Sequence, residues 1–326
     1  MKRIIKFIIN ISILFVLSLA TLWVIIARPV IPQSRAYLPE YIKTADALMQ
    51  HTQFLSENFS PRNSNNPENL IKTAQYIEKH LTKSSTDVSL QYFNANGKQY
   101  ANVIAKYGPD SSETIIIGAH YDAYSGFPGA DDNASGVAGL LELGNLIKNM
   151  DLQHRVELIA YTLEEPPYFA TPLMGSALHA NKSRLENKKI KIMISLEMIG
   201  YFSDDNNSQN YPLKLLSLFY PERGNFIAIV DQLFSNHARG IKDAINTHTE
   251  LAAYSINAPA LIAGIDFSDH RNYWANNYPA VMITDTSFYR NKMYHTGGDT
   301  YKRLDYRKME MLIYGIYKYI QVIDLD

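Results

Sequence analysis

Uncharged residues, most of them apolar, run from Phe7 to Ala27, and beyond them short apolar segments alternate with amphipathic ones. Lys2, Arg3 and Lys6 precede that run and Arg28 ends it. About 20 apolar residues suffice to cross a bilayer as a helix, and a basic flank belongs on the cytoplasmic side. Residues 1–28 are therefore expected to form a membrane anchor, with the rest of the chain outside the cytoplasm, periplasmic or extracellular. A cleaved signal peptide is the rival, with Ser18 and Ala20 at the small-residue positions of a cleavage site. The run continues through Ile26, longer than a usual signal core, which favours the anchor; cleavage would give a secreted protein instead. Residues 29–40 read as a juxtamembrane linker and 41–326 as one domain.

Within that domain, residues 41–56 and 67–81 have helical periodicity. In the second, Leu70, Ala74, Ile77 and Leu81 share a stripe and Asn66 stands at the cap position. Residues 88–93 and 102–107 read as strands joined by a hairpin turn through Asn94, Ala95, Asn96 and Gly97. Buried strands follow at 114–119, 156–163, 190–196, 225–230 and 280–284. Helices are expected at 135–149, 174–187, 233–246 and 306–323. The alternation predicts an α/β fold, a three-layer sandwich around a mixed, largely parallel central sheet. The early hairpin supplies the antiparallel part. The polar stretch 203–210 reads as an exposed loop.

Composition changes little: 46% apolar and 19% charged is ordinary for a globular chain. Charge does exclude something, because 31 basic residues against 32 acidic ones give no electrostatic case for nucleic acid. The absence of cysteine removes disulfides, thiolate metal sites and cysteine nucleophiles. Oligomeric state has no signature in the chain.

Candidate chemistry lies where the apolar segments end. His120, Glu164, Glu165 and Glu197 fall at predicted strand ends, Asp131 and Asp132 in a loop before a helix, and His295 in a Gly-containing loop. In open α/β sheets such ends converge on a crevice. Two histidines and three carboxylates suit a pair of zinc ions, which take imidazole nitrogen and carboxylate oxygen. Two metals about 4 Å apart need a ligand that touches both, so one carboxylate must bridge. Asp122, two residues from His120 on extended backbone, shares its face and can orient the imidazole. Adjacent Glu164 and Glu165 would point to opposite faces of a strand, unless Pro166 and Pro167 break it and redirect one of them. One would then bind metal and the other take a proton. Spacing alone does not separate Asp131 from Asp132. No G-x-S-x-G elbow and no H-E-x-x-H helix is present, although Ser268, Asp269 and His270 form a third cluster.

Six segments in order, GAHYDA, PGADDNASG, TLEEPP with MGS, SLEMIG, SDHRNYW and YHTGGDT, span about residues 102–300. Together they resemble the co-catalytic di-zinc exopeptidases of the aminopeptidase Y type, a family that also contains glutamate carboxypeptidases and glutaminyl cyclases. The resemblance implies two zinc ions, one held by His120 and Glu197 and the other by Glu165 and His295. It implies Asp132 as the bridge, because that residue immediately precedes Asn-Ala-Ser-Gly, with Glu164 as general base and Asp122 orienting His120. His270 or Tyr294 would donate to the developing oxyanion. Two departures stand out. Glu197 occupies a position commonly Asp, and Pro-Pro-Tyr-Phe-Ala-Thr-Pro-Leu replaces a short Gly loop, which points to a remodelled pocket wall.

The implied activity is removal of N-terminal residues from peptide substrates. Tyr168, Phe169, Met174, Tyr201, Phe202, Phe288 and Tyr289 are candidates for an apolar side-chain pocket. A carboxypeptidase would need an arginine clamp, for which Arg271 and Arg290 are near the motifs. A glutaminyl cyclase would use one zinc and no water. A receptor-like module would have lost ligands, and here all five positions carry usable ones.

Overall fold

The computed structural model describes residues 2–29, 44–110 and 113–325. The expected linker from residue 30 onward and the first residues of the helix expected at 41–56 lie outside them. Helix α1 (Lys2–Ala27) is continuous, and its stretch Arg3–Ala27 is long and apolar enough to cross a membrane. From Arg3 on its side chains are exposed, apart from half-buried Leu19, until the last turn, where Ala27 becomes buried. Helices α2 (Ala45–Asn58) and α3 (Pro67–Leu81) come next. Asn66 holds the cap position of α3, but its side chain makes no capping bond. Pro67 at the helix start has no N–H to be capped.

The hairpin β1 (Asp87–Ala95) and β2 (Lys98–Tyr107) turns on Asn96 and Gly97, both at positive φ (49° and 79°). That pair suits the tight turn whose twist matches the flanking strands. There follow β3 (Glu113–His120), α4 (Gly136–Ile147), β4 (Arg155–Tyr161), α5 (Gly175–Leu185), β5 (Lys189–Glu197) and β6 (Phe226–Asp231). The chain closes with α6 (His237–His248), β7 (Ala252–Asn257), α7 (His270–Ala275), β8 (Ala280–Thr284) and α8 (Tyr306–Ile323).

Eight strands form one sheet in the order β1-β2-β4-β3-β5-β8-β6-β7. Pairing is parallel through the centre, β4-β3-β5-β8, and again for β6-β7. It is antiparallel for β1-β2, β2-β4 and β6-β8. Alternating side chains sort the layers. Ile115 and Ile117 join the core beneath α4, α6 and α8, with Val137, Ile241 and Ile313. Ile116 faces the opposite layer, with Ala180 of α5 and Tyr273 of α7. Each fully buried isoleucine contributes about 1.5–3 kcal/mol.

Three differences from the sequence reading have local causes. Helix α6 begins at His237 rather than 233, because the Asp231 carboxylate accepts from Gln232 N, Ser235 Oγ and Ala238 N and holds 232–236 as a turn. Strand β4 stops at Tyr161 rather than 163, and Leu163 has a positive φ of 60°. Strand β7 and helix α7 were not anticipated. Each is six residues long, too short for its periodicity to stand out.

Candidate metal centre and its pocket

His120 is the last residue of β3 and Glu197 the last of β5, adjacent strands whose carboxyl ends open on the same side. Glu164 and Glu165 follow β4 after its early stop, so strand alternation does not separate them. The Asp122 carboxylate accepts from both of their backbone N–H groups, at 3.2 and 3.0 Å, and fixes the turn that carries them. This leaves Asp122 only partly available to the imidazole. His120 Nδ1 lies 3.1 Å from the Asp122 backbone carbonyl and 3.5 Å from its carboxylate. The expected orientation is therefore served mainly by main chain.

Two groups of potential ligands meet. His120 Nε2 lies 3.3 Å from Asp132 Oδ1 and 3.3 Å from Glu197 Oε2. His295 Nε2 lies 3.1 Å from Asp132 Oδ2 and 3.3 Å from Glu165 Oε2. Asp132 thus offers one oxygen to each group, and within each group the ligand atoms all lie within 4.8 Å of one another. His120 Nε2, His295 Nε2 and Glu165 Oε1 are buried without a hydrogen-bond partner. Ligands about 2.05 Å from a tetrahedral zinc stand about 3.3 Å apart, so the donor set fits such an ion in each group.

The electrostatics agree. Burial opposes a charged His295, but Asp132 and Glu165 outweigh it and lift the imidazole to about 9. Burial, helped by Asp132, pushes Glu165 up to about 8. Burial also opposes ionisation of Asp132, yet the two imidazoles hold its carboxylate below the usual range. Glu164 is raised well above a normal carboxyl by burial, with Glu197 and Glu165 adding to it against His120. Its Oε2 is 3.9 Å from His120 Nε2. A protonated cluster of this kind is what a cation would discharge.

Supporting residues that were not singled out in the sequence hold this geometry. Asn133 donates to Leu196 O (2.8 Å) and accepts from Gly136 N and Met198 N, tying the Asp132 turn to the end of β5. A Cβ on Gly136 would stand 2.7 Å from Leu196 O, so only glycine lets α4 start there. Asp131 accepts from Gly200 N and Asn291 Nδ2 and faces away from the ligand groups, a support rather than a ligand. Asp299, four residues beyond His295, accepts from Asp131 N and Asp132 N. Arg62 is buried and donates to four carbonyls, of Leu55, Tyr121, Pro128 and Gly129. Burial lowers it to about 10 against the pull of Asp299, Asp122 and Asp132. A lone arginine far from every motif gave no sequence signal for this role.

His295 has a positive φ of 55°, and its ring is stacked between Tyr124 (centroids 3.9 Å apart) and Tyr294 (3.7 Å). Ser268 Oγ donates to Glu197 Oε2 at 2.8 Å, which gives one member of the Ser-Asp-His cluster a place. His270 has none here. It is fully buried against Trp274, bonds to Ile265 O, and is not at the cavity, so it is excluded as an oxyanion donor. Tyr294 does line the cavity, and burial keeps its phenol protonated.

Beside the ligands lies a cavity of about 230 Å³. Of the expected pocket residues, Phe169, Phe288 and Tyr289 line it together with Pro166 of the insert. Tyr168, Met174, Tyr201 and Phe202 do not: Tyr168 and Met174 are buried side chains, and Tyr201 and Phe202 pack against the core. No lysine or arginine lines the cavity among the described residues. Arg271 is paired with Asp266 over the Phe169 ring, and Arg290 is buried over Phe226, bonded to Gln209 and Tyr201 O.

Comparison with known proteins agrees with this chemistry. Residues 102–320 match the model of peptidase family M28. The uncharacterized protein YfbL of Escherichia coli K12 is 46% identical over 280 residues, covering 83% of this chain and 86% of that one. Leucine aminopeptidase 1 of Ajellomyces dermatitidis is 25% identical over 258 residues; the match spans 73% of this chain and 61% of the relative's length. Among solved structures, the LapA aminopeptidase of Legionella pneumophila superposes with a TM-score of 0.67 at 19% identity, over 90% of this chain and 77% of that one. A glutaminyl cyclase from Bacteroides thetaiotaomicron does so with 0.64 at 16%, over 87% and 99%. Identities this low speak for the fold alone.

Proposed function

Because the chain belongs to peptidase family M28, we propose that it is a di-zinc aminopeptidase, held at a membrane by α1 with its domain outside the cytoplasm. The observation that carries this reading is the pair of potential ligand groups sharing Asp132 at the end of a cavity whose described lining holds no lysine or arginine. His120 and Glu197 would hold one ion, Glu165 and His295 the other, and Asp132 both. Zinc so bound would supply Lewis acidity and an acidified water.

The protein's own groups do the rest. Glu164, buried at the cavity and 3.9 Å from His120, takes the proton of the attacking water and returns one to the departing amine. Tyr294 donates towards the oxygen that gains charge. The free amino terminus of a peptide is favoured by the surrounding carboxylates, and Phe169, Phe267 and Phe288 favour a bulky apolar first side chain. A carboxypeptidase needs a cation for the substrate carboxylate. The positions of Arg271 and Arg290 disfavour that reading. Five intact ligands argue against a glutaminyl cyclase with one zinc.

The test compares a carboxy-blocked with an amino-blocked dipeptide, with and without chelator. Cleavage of the carboxy-blocked peptide alone, abolished by chelator and restored by zinc, is expected. Cleavage of the amino-blocked peptide, or hydrolysis indifferent to chelator, sinks the reading. Loss of ammonia from a Gln-peptide without hydrolysis would establish the cyclase.

A further inference from the structure

Among the described residues, helix α1 is held to the domain at its C-terminal end. There Lys242 of α6 donates from Nζ to the carbonyls of Ala27 (2.6 Å) and Arg28 (2.7 Å) and to Ser255 Oγ of β7 (2.7 Å). Ser255 Oγ donates in turn to Ala27 O (2.9 Å). An ammonium on the last carbonyls satisfies groups a helix end leaves open and opposes the dipole there. Ala27 is buried in one cluster with Leu216 and Tyr220. The end of α1 is therefore seated in the domain rather than tethered to it.

This seat fixes which face meets the bilayer. The 25 apolar-rich residues Arg3–Ala27 extend about 38 Å, against a hydrocarbon core of about 30 Å. The seated turn then lies at the level of the lipid headgroups. Beside it runs the single turn of 3-10 helix Lys214–Leu218. Leu216 faces the cluster that buries Ala27, while Leu213, Leu215 and Leu218 are 51%, 54% and 73% exposed. Three leucines turned outward in six residues are hard to explain in water. At a headgroup boundary they are ordinary, and exposed Lys214 among them suits anionic lipid.

We propose that this leucine turn at the β7 edge is a second membrane contact, dipping into the outer surface of the bilayer next to the seated anchor. The inference rests on α1 spanning the membrane. It places the cavity at the lipid surface, because Leu216, Tyr220 and Ser255 form both part of the anchor seat and part of the cavity wall. The substrates reached first are peptide ends lying on or emerging from the membrane.

The natural absence of cysteine allows a direct test in the full chain. Leu215→Cys, Leu218→Cys, Leu14→Cys and Tyr92→Cys would each carry a fluorophore. The protein sits in nanodiscs of phosphatidylethanolamine and phosphatidylglycerol, with lipids bearing nitroxide near the headgroup or deep in the acyl chain. Tyr92, 59% exposed on β1, is the control at the opposite edge of the sheet, about 34 Å away across seven strand spacings. Labels at 215 and 218 should lose most of their emission to the shallow nitroxide, the label at 14 to the deep one, and the label at 92 to neither. Labels at 215 and 218 reached only by an aqueous quencher, or shielded from both by other protein, overturn the proposal while leaving a deep signal at 14 to uphold the anchor. A label at 14 that no lipid quenches removes the anchor and the proposal with it.

Discussion

Arg62 offers the sharpest test of how the site is held. Its guanidinium donates to four carbonyls that belong to the end of α2 and to the stretches flanking His120 and Asp132. Arg62→Lys keeps the charge but has three donors on a compact head and no planar fork. At least one of the four carbonyls loses its guanidinium donor, at about 1–3 kcal/mol where no other donor replaces it, and the others are realigned, so a loss of about 2–4 kcal/mol is expected. Over the roughly 280 described residues of the domain the unfolding entropy is about 0.6 kcal/mol/K, which converts that loss into a Tm lower by about 3–7 °C. Because the realigned backbone carries the proposed ligands, zinc affinity should drop by about 10–100-fold. Thermal unfolding in detergent micelles and competition against a zinc-sensitive dye measure both. A Tm within about 1 °C of wild type together with unchanged zinc affinity would refute the clamp.

Other consequences are as direct. Glu164→Gln should retain its zinc yet turn over at least about a hundredfold more slowly; normal kcat removes Glu164 as the base. Zinc uptake by metal-free protein should displace protons, since His295 sits at about 9 and Glu165 at about 8, so affinity climbs from about pH 6 to about pH 9. Calorimetry in buffers of different ionisation enthalpy reads the protons, and uptake independent of pH contradicts the charge arrangement. Burial, with Lys188 and Lys182 adding to it, holds His179 at about 3; Glu157 lies 3.8 Å away but already pairs with Lys188 at 2.7 Å. Below the unfolded value of about 6.5 the unfolded chain gains a proton that the native state refuses, so this histidine's contribution is lost as pH falls. The raised carboxylates titrate in the opposite sense. The measurable quantity is therefore the difference between wild type and His179→Gln, about 2 kcal/mol between pH 7 and pH 5 by urea unfolding. Parallel pH profiles would contradict it.

The chain announces its layers plainly because buried strands such as 114–119 are continuous apolar runs and the long helices repeat every three or four residues. It announces the candidate ligand segments too, since His120 and Glu197 sit where apolar runs end and Asp132 stands in a loop just before a helix. What it hides are contacts between residues remote in sequence. Asp299 bracing the backbone of Asp131 and Asp132, or Arg62 spanning from α2 to Gly129, leaves no local pattern. Aromatic residues near a motif are equally ambiguous. Phe169 reaches the cavity, whereas its neighbour Tyr168 points into the core. Short elements such as β7 stay silent because their packing comes from the tertiary fold; Ser255 acquires its role only when Ala27 arrives.

A wall with two duties constrains how the molecule can change. Leu216, Tyr220 and Ser255 shape the chamber beside the ligands and also grip the end of α1. Under the proposed function, remodelling them for a different terminal residue would loosen that grip, and a form released from the membrane would need another group to fill the socket of Ala27. Choice of substrate and attachment would then be coupled through the same three side chains.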